Sequence, residues 1–103
     1  MRGRAREGND VRFAFVGHDR RDAGELRARL RPAHAEYHRG RANPVGGPLL
    51  DEGGRACGTL IVLEAADLDE ARRVVAADPF VTGGLFESTV LHELRAVDWP
   101  TAD

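Results

Sequence analysis

The chain has 103 residues and a formal charge of −2, from 17 acidic and 15 basic side chains, and every basic residue is arginine. With no lysine, one serine (Ser88) and one cysteine (Cys57), it excludes a Schiff-base or P-loop lysine, an internal disulfide and a cysteine-rich zinc site. The near-balanced charge leaves no electrostatic footprint for nucleic acid, and the apolar runs fall far short of the ~18 residues that span a membrane.

No apolar core follows Met1-Arg2-Gly3-Arg4, so no signal peptide is expected and a cytoplasmic protein is the default. The arginine bias, beside abundant Ala and Gly, reads as the codon pressure of a GC-rich genome. A chain this small buries only about two-thirds of its unfolded surface, which makes self-association an open route to stability.

Residues 1–10 mix three Arg with Glu7 and Asp10, show no apolar periodicity, and read as a solvated tail. Residues 11–17 (VRFAFVG) are aromatic and β-branched and stop at Gly, the pattern of a buried strand. From Asp19 to Arg41, Leu26, Leu30, Ala33 and Tyr37 recur at helical spacing, and Asp22 with Glu25 forms a start signal. Proline breaks a helix interior but suits a first turn. Pro32 therefore predicts a first helix over 22–30, a junction at Arg31-Pro32, and a second short helix ending near Gly40.

Residues 43–48 predict a loop in which Gly46-Gly47 is a turn feature, and Pro48-Leu49-Leu50 a short edge strand, since proline suits an edge. Residues 51–54 read as a turn. Residues 58–64 (GTLIVLE) are apolar on both faces and predict a central strand. Asp67, with Glu70 three residues on, opens the clearest helix, whose buried stripe is Leu68, Ala71, Val74 and Val75. Pro79 stops it and pushes Asp78 out of helical geometry. Residues 85–97 alternate, with Phe86, Ser88, Val90, His92 and Leu94 on one face, and Leu85 and Leu91 on the other. They predict one long strand, and residues 100–103 are expected to fray.

The order β-α-β-β-α-β predicts an α+β, ferredoxin-like domain over 11–99, with an antiparallel sheet and both helices on one face. The uncovered face would present Ile61 or its neighbours with Leu85 and Leu91. An apolar area of that kind marks a partner site, so a sheet-to-sheet homodimer is expected.

Four histidines offer chemistry: His18, His34, His38 and His92. His34 and His38 are four apart and share a helix face. The run H-A-E-Y-H lacks the HExxH arrangement and no third ligand is evident, so no metal site is expected and His38 reads as a solvated helix end. His34 sits beside Arg31-Pro32, and Asp78 beside Pro79. In this fold the two junctions can meet at one end of the sheet. A histidine oriented by a carboxylate exchanges protons near neutral pH; from spacing alone, capping a turn is the plainer reading of Asp78. Ser88 reads as a small residue under a helix, Cys57 as a packed thiol, His92 as a core or interface histidine, and Arg72-Arg73 as a solvated helix face. His18 could approach a pocket mouth.

Arg31-Pro32-Ala33-His34, Gly47-Pro48-Leu49, residues 58–62, residues 68–71, Ala77-Asp78-Pro79-Phe80 and residues 84–87 stand in an order that resembles the YCII-related (YciI-like) family of the wider dimeric α/β-barrel group. The resemblance spans about residues 11–97. It implies a ferredoxin-like protomer, a homodimer through the open sheet faces and a small-molecule pocket in each protomer. It carries the family's catalytic pair onto His34 and Asp78, with Arg31 and Phe80 as flanking ligand-binding residues. The implied activity is cofactor-independent proton transfer on an anionic or phenolic substrate, of lyase, isomerase or dehydrochlorinase type. The alternatives are a non-catalytic dimeric module that binds a metabolite or docks on a protein, and a haem-degrading or oxygenase type, for which no haem-ligand signal stands out.

Overall fold

In the computed structural model, which describes residues 11–100, the strands are β1 (Val11–Asp19), β2 (Val45–Leu50), β3 (Ala56–Ala65) and β4 (Phe86–Leu94). The helices are α1 (Gly24–His38), α2 (Leu68–Ala76) and the single turn α3 (Pro79–Thr82). The expectations for residues 1–10 and 101–103 fall outside the described residues. The strands form one antiparallel sheet in the order β2-β3-β1-β4. This is an α+β, ferredoxin-like arrangement.

Register decides which residues reach the core, because directly opposed residues share a face. Phe13 opposes Leu63, Phe15 opposes Ile61 on one side and Leu91 on the other. These side chains meet Ala71 and Val75 of α2, Phe80 of α3, Leu85 and Phe86 in a single cluster, with Leu26 and Leu30 of α1 packed against it. Burying each of the large side chains stabilises the fold by about 1.5–3 kcal/mol relative to exposure. Ile61, Leu85 and Leu91 thus belong to the helix side, which corrects the expectation that they face outward. The open face carries the neighbours of Ile61 instead: Leu60 and Val62 of β3, Ala14 and Val16 of β1, and Val90 and Leu94 of β4.

A register shift near the start of β4 brings Phe86 to the helix side as well. Ser88 opposes His18, but Phe86 opposes Asp19, so Glu87 is an extra residue. Such a bulge reverses the alternation beyond it. Phe86 is thereby delivered to the core, 5.9 Å from both Phe15 and Phe80 in edge-on contacts. Ser88 and His92 remain on the open face and exposed, so Ser88 lies under no helix. Gly17 makes room for this packing, since a Cβ there would stand 2.8 Å from the Phe86 ring.

Helix α1 runs unbroken through Pro32, where a junction between two helices was expected. Proline removes the N–H that would bond the carbonyl of Ala28. Ala28 and Pro32 both lie on the exposed side of α1, so water can take that carbonyl and the helix continues. The expected start signal is not used either. Asp22 adopts a positive φ of 58°, and the N-cap position is Ala23, without a side-chain cap. Strand β2 starts earlier than expected, and Gly46 and Gly47 pair with Ile61 and Leu60 within it rather than forming a turn. Helix α2 keeps its signature: Asp67 accepts from the Glu70 N–H at 2.8 Å, and Glu70 reaches back to the Ala66 N–H at 2.6 Å. Among the described residues, no helix is long and apolar enough to cross a membrane.

Candidate active site

Pro79 does more than stop α2. It occupies the first position of α3, where its missing N–H costs nothing. Asp78 becomes the N-cap and its Oδ1 accepts the Phe80 N–H at 2.8 Å. That short turn fixes the Asp78 carboxylate beneath α1, in line with α1·α3 packing. His34 Nδ1 lies 2.8 Å from Asp78 Oδ1 and 3.0 Å from Oδ2. One helical turn on, His38 Nε2 lies 2.7 Å from Oδ2. The His34 ring also stacks on Phe80, with centroids 3.8 Å apart and planes 11° from parallel.

Asp78 is 1 % exposed. Burial by itself would push its carboxyl up. The hydrogen bonds to His34 and His38, the Phe80 N–H and the attraction of His34 outweigh burial and hold it down at about 2. Asp78 is therefore a carboxylate at neutral pH.

Arg27 sits one turn before Arg31 and two before His34. Its Nε and Nη2 donate to the two oxygens of Asp19 at 2.8 and 3.0 Å. Nη2 also lies 2.8 Å from the Gly58 carbonyl and from Thr59 Oγ1. Its guanidinium stands 4.9 Å from the Phe80 ring centre. Around this frame lies a cavity of about 90 Å³ lined by Arg27, Arg31, His34, Gly47, Pro48, Thr59 and Phe80. A second, of about 320 Å³, is lined by His34, His38, Asn43 and Gly46 among others. His34 and Gly47 border both.

The structure thus brings His34, Asp78, Arg31 and Phe80 to one place. His38, expected as a solvated helix end, is instead bonded to Asp78 with only 14 % of its side chain exposed. Arg27, Thr59 and Asn43 were missed. Spacing on α1 could have found Arg27, which repeats Arg31 and His34 at intervals of four and three. Nothing local marks Thr59 or Asn43. The absent third partner for the two histidines is Asp78: the potential ligand atoms of the three residues lie within 4.8 Å of one another. Their short contacts have hydrogen-bond lengths and directions, with the carboxylate between the rings. His18 lies on the open sheet face, away from this cavity.

An antiparallel four-stranded sheet, with helices that bring a histidine onto a buried aspartate, defines an α+β protein of the ferredoxin-like class. Residues 11–95 match the YCII-related domain, and the chain belongs to that family. A 5-chloro-2-hydroxyhydroquinone dehydrochlorinase from Burkholderia phenoliruptrix, solved with 2,5-dihydroxybenzoquinone, is similar in structure. It shares 28% identity at a TM-score of 0.78, over 82% of this chain and 94% of that one. SnoaB, a cofactor-independent oxygenase from Streptomyces nogalater, aligns at 14% identity and a TM-score of 0.51, over 89% of this chain and 97% of its own. A Pseudomonas aeruginosa protein aligns at 11% identity and a TM-score of 0.55, over 91% and 100%. The last two show the fold alone. A comparison with curated proteins gives no match.

Proposed function

We propose that the protein is a cofactor-independent enzyme acting on a small phenolic or otherwise anionic molecule, with His34 as general acid/base and Asp78 as its positioning partner. The observation that carries this reading is the one-sided bonding of His34. Nδ1 is taken by Asp78, while Nε2 has no hydrogen bond to a described residue, and the ring borders both cavities. With Nδ1–H donated to the carboxylate, Nε2 presents a lone pair that can take a substrate proton. The imidazolium so formed is stabilised by the Asp78 charge, and can return the proton at another atom. Arg31, and the face of Arg27 turned to the cavity, favour the oxyanion left behind. Proton removal at one atom and delivery at another is the work of a lyase or isomerase and requires no external oxidant. The similarity to a dehydrochlorinase supports a polyhydroxylated ring as the starting point for a substrate search.

The test is turnover of a panel of hydroxyhydroquinones and small hydroxylated aromatics by the wild type and by His34→Ala. Removing a general acid/base lowers kcat by about 10²–10⁴-fold. Wild-type turnover that survives the substitution undiminished would remove His34 from the mechanism. The same reading includes a homodimer: the open face of the sheet, with Val90 50 % and Leu94 40 % exposed, supports packing against a second copy.

A further inference from the structure

The site contains more histidine than one acid/base requires. His38 touches the same carboxylate from the other side, and its remaining ring nitrogen is also occupied: Nδ1 lies 2.8 Å from Asn43 Nδ2. An amide nitrogen only donates. His38 Nδ1 must then accept, and the single proton of a neutral ring is confined to Nε2, where it is donated to Asp78. Hydrogen bonds at both ends therefore select one tautomer and one charge state for His38.

We propose that Asn43 and His38 form a positioning relay that locks His38 as a neutral donor to Asp78, so that the charge of Asp78 is kept for the imidazolium of His34. This inference rests on the acid/base role of His34. The reason for such a lock is geometric. The His34 and His38 ring centres are 4.8 Å apart across one carboxylate. If His38 became an imidazolium, one negative charge would serve two cations at that distance, and a proton on His34 would lose much of its stabilisation. Asn43 prevents this by occupying the nitrogen on which the second proton would sit.

The surroundings act in the same direction. On α1, the Tyr37 ring meets His38 edge-on at 4.9 Å, and the Tyr37 hydroxyl is committed to the Val74 carbonyl of α2 at 2.6 Å. Arg41, stacked 4.2 Å over Tyr37, lines the same cavity as His38 and adds a positive charge there. Arg27 and Arg31 stand beside His34 in the smaller cavity. Asp78 is the carboxylate that faces both rings. The relay also ties the segment after α1 to the site: Asn43 stands between α1 and β2, with its own N–H on the Arg41 carbonyl at 2.9 Å.

Nitrogen-15 NMR of the histidine rings tests this without a substrate, because the chain has only four histidines. At pH 7 the wild-type His38 is expected in the Nε2–H form, with an unprotonated Nδ1. Asn43→Asp, nearly the same in shape, replaces the donor by an acceptor, and both ring nitrogens of His38 should then carry protons. In Asn43→Asp the His38 imidazolium competes for Asp78, and the protonated fraction of His34 should fall relative to the wild type. In His38→Leu, where Asp78 loses a donor and gains no competing cation, that fraction should rise. A merely structural role would move both variants the same way. His38→Gln, whose amide can still donate to Asp78, should stay close to the wild type. An Nδ1–H tautomer for wild-type His38, or shifts of the same sign in Asn43→Asp and His38→Leu, would overturn the relay. Neither result bears on the His34→Ala turnover, so the relay and the acid/base reading fail separately.

Discussion

At the scale of single residues, Asp78 has the most to do. Its two oxygens receive the Phe80 N–H and two imidazoles, so one side chain caps α3 and organises the candidate site. Its carboxyl stands at about 2 in the folded chain against 3.8 as reference. A lowered carboxyl favours the folded state wherever it is ionised. That contribution is complete above about pH 4 and is lost as the pH falls through about 2. At 1.36 kcal/mol per unit it amounts to on the order of 2 kcal/mol. Asp78→Asn keeps a capping side chain and removes the titration. Urea unfolding at pH 5 and pH 2 should show the wild type losing about that much more stability than the variant. Equal losses in both would mean that Asp78 is not held low.

At the scale of elements, α1 shows what a local rule leaves open. Proline costs a helix interior about 3 kcal/mol relative to alanine. Part of this is offset because Pro32 also restricts the unfolded chain, by up to about 1 kcal/mol. Pro32→Ala should therefore raise stability by about 1–2 kcal/mol, read as a higher denaturant midpoint at unchanged slope; a lower midpoint would show that the Pro32 ring is needed where it stands. The expected break at Pro32 failed because a proline rule does not know which side of the helix meets water. Helix α2 was legible because its cap signature spans only four residues. Asp78 and His34 could be paired by family resemblance, but His38 could not be read from its neighbours. Its partner is 40 positions away, and only the packing of α1 on α3 brings them together. Asn43 stayed hidden for the same reason, since a loop asparagine has no periodicity to betray its partner.

At the scale of the whole molecule, the sheet divides the residues into two populations. The helix side holds Phe13, Phe15, Ile61 and Leu63. The open side leaves a mostly aliphatic surface, flanked by Val45, which is 56 % exposed. On the proposed dimer, Val90→Glu places a charge in the middle of the covered area without disturbing the core. Light scattering at micromolar concentration should then report a dimer for the wild type and a shift to monomer for the variant. A wild-type monomer would leave the open face without its proposed partner. The bulge at Glu87 has a further consequence for how such a chain can vary in length. Residues 86 and 88 share parity yet face opposite sides, because Glu87 has no counterpart on β1. Excising Glu87 would leave Phe86 across from Asp19 and Ser88 across from His18, with both faces of the sheet intact. Excising any other single residue from the middle of β4 would turn one part of the strand inside out. Position 87 is thus the point in β4 where an insertion or deletion of one residue can pass without exchanging core and surface.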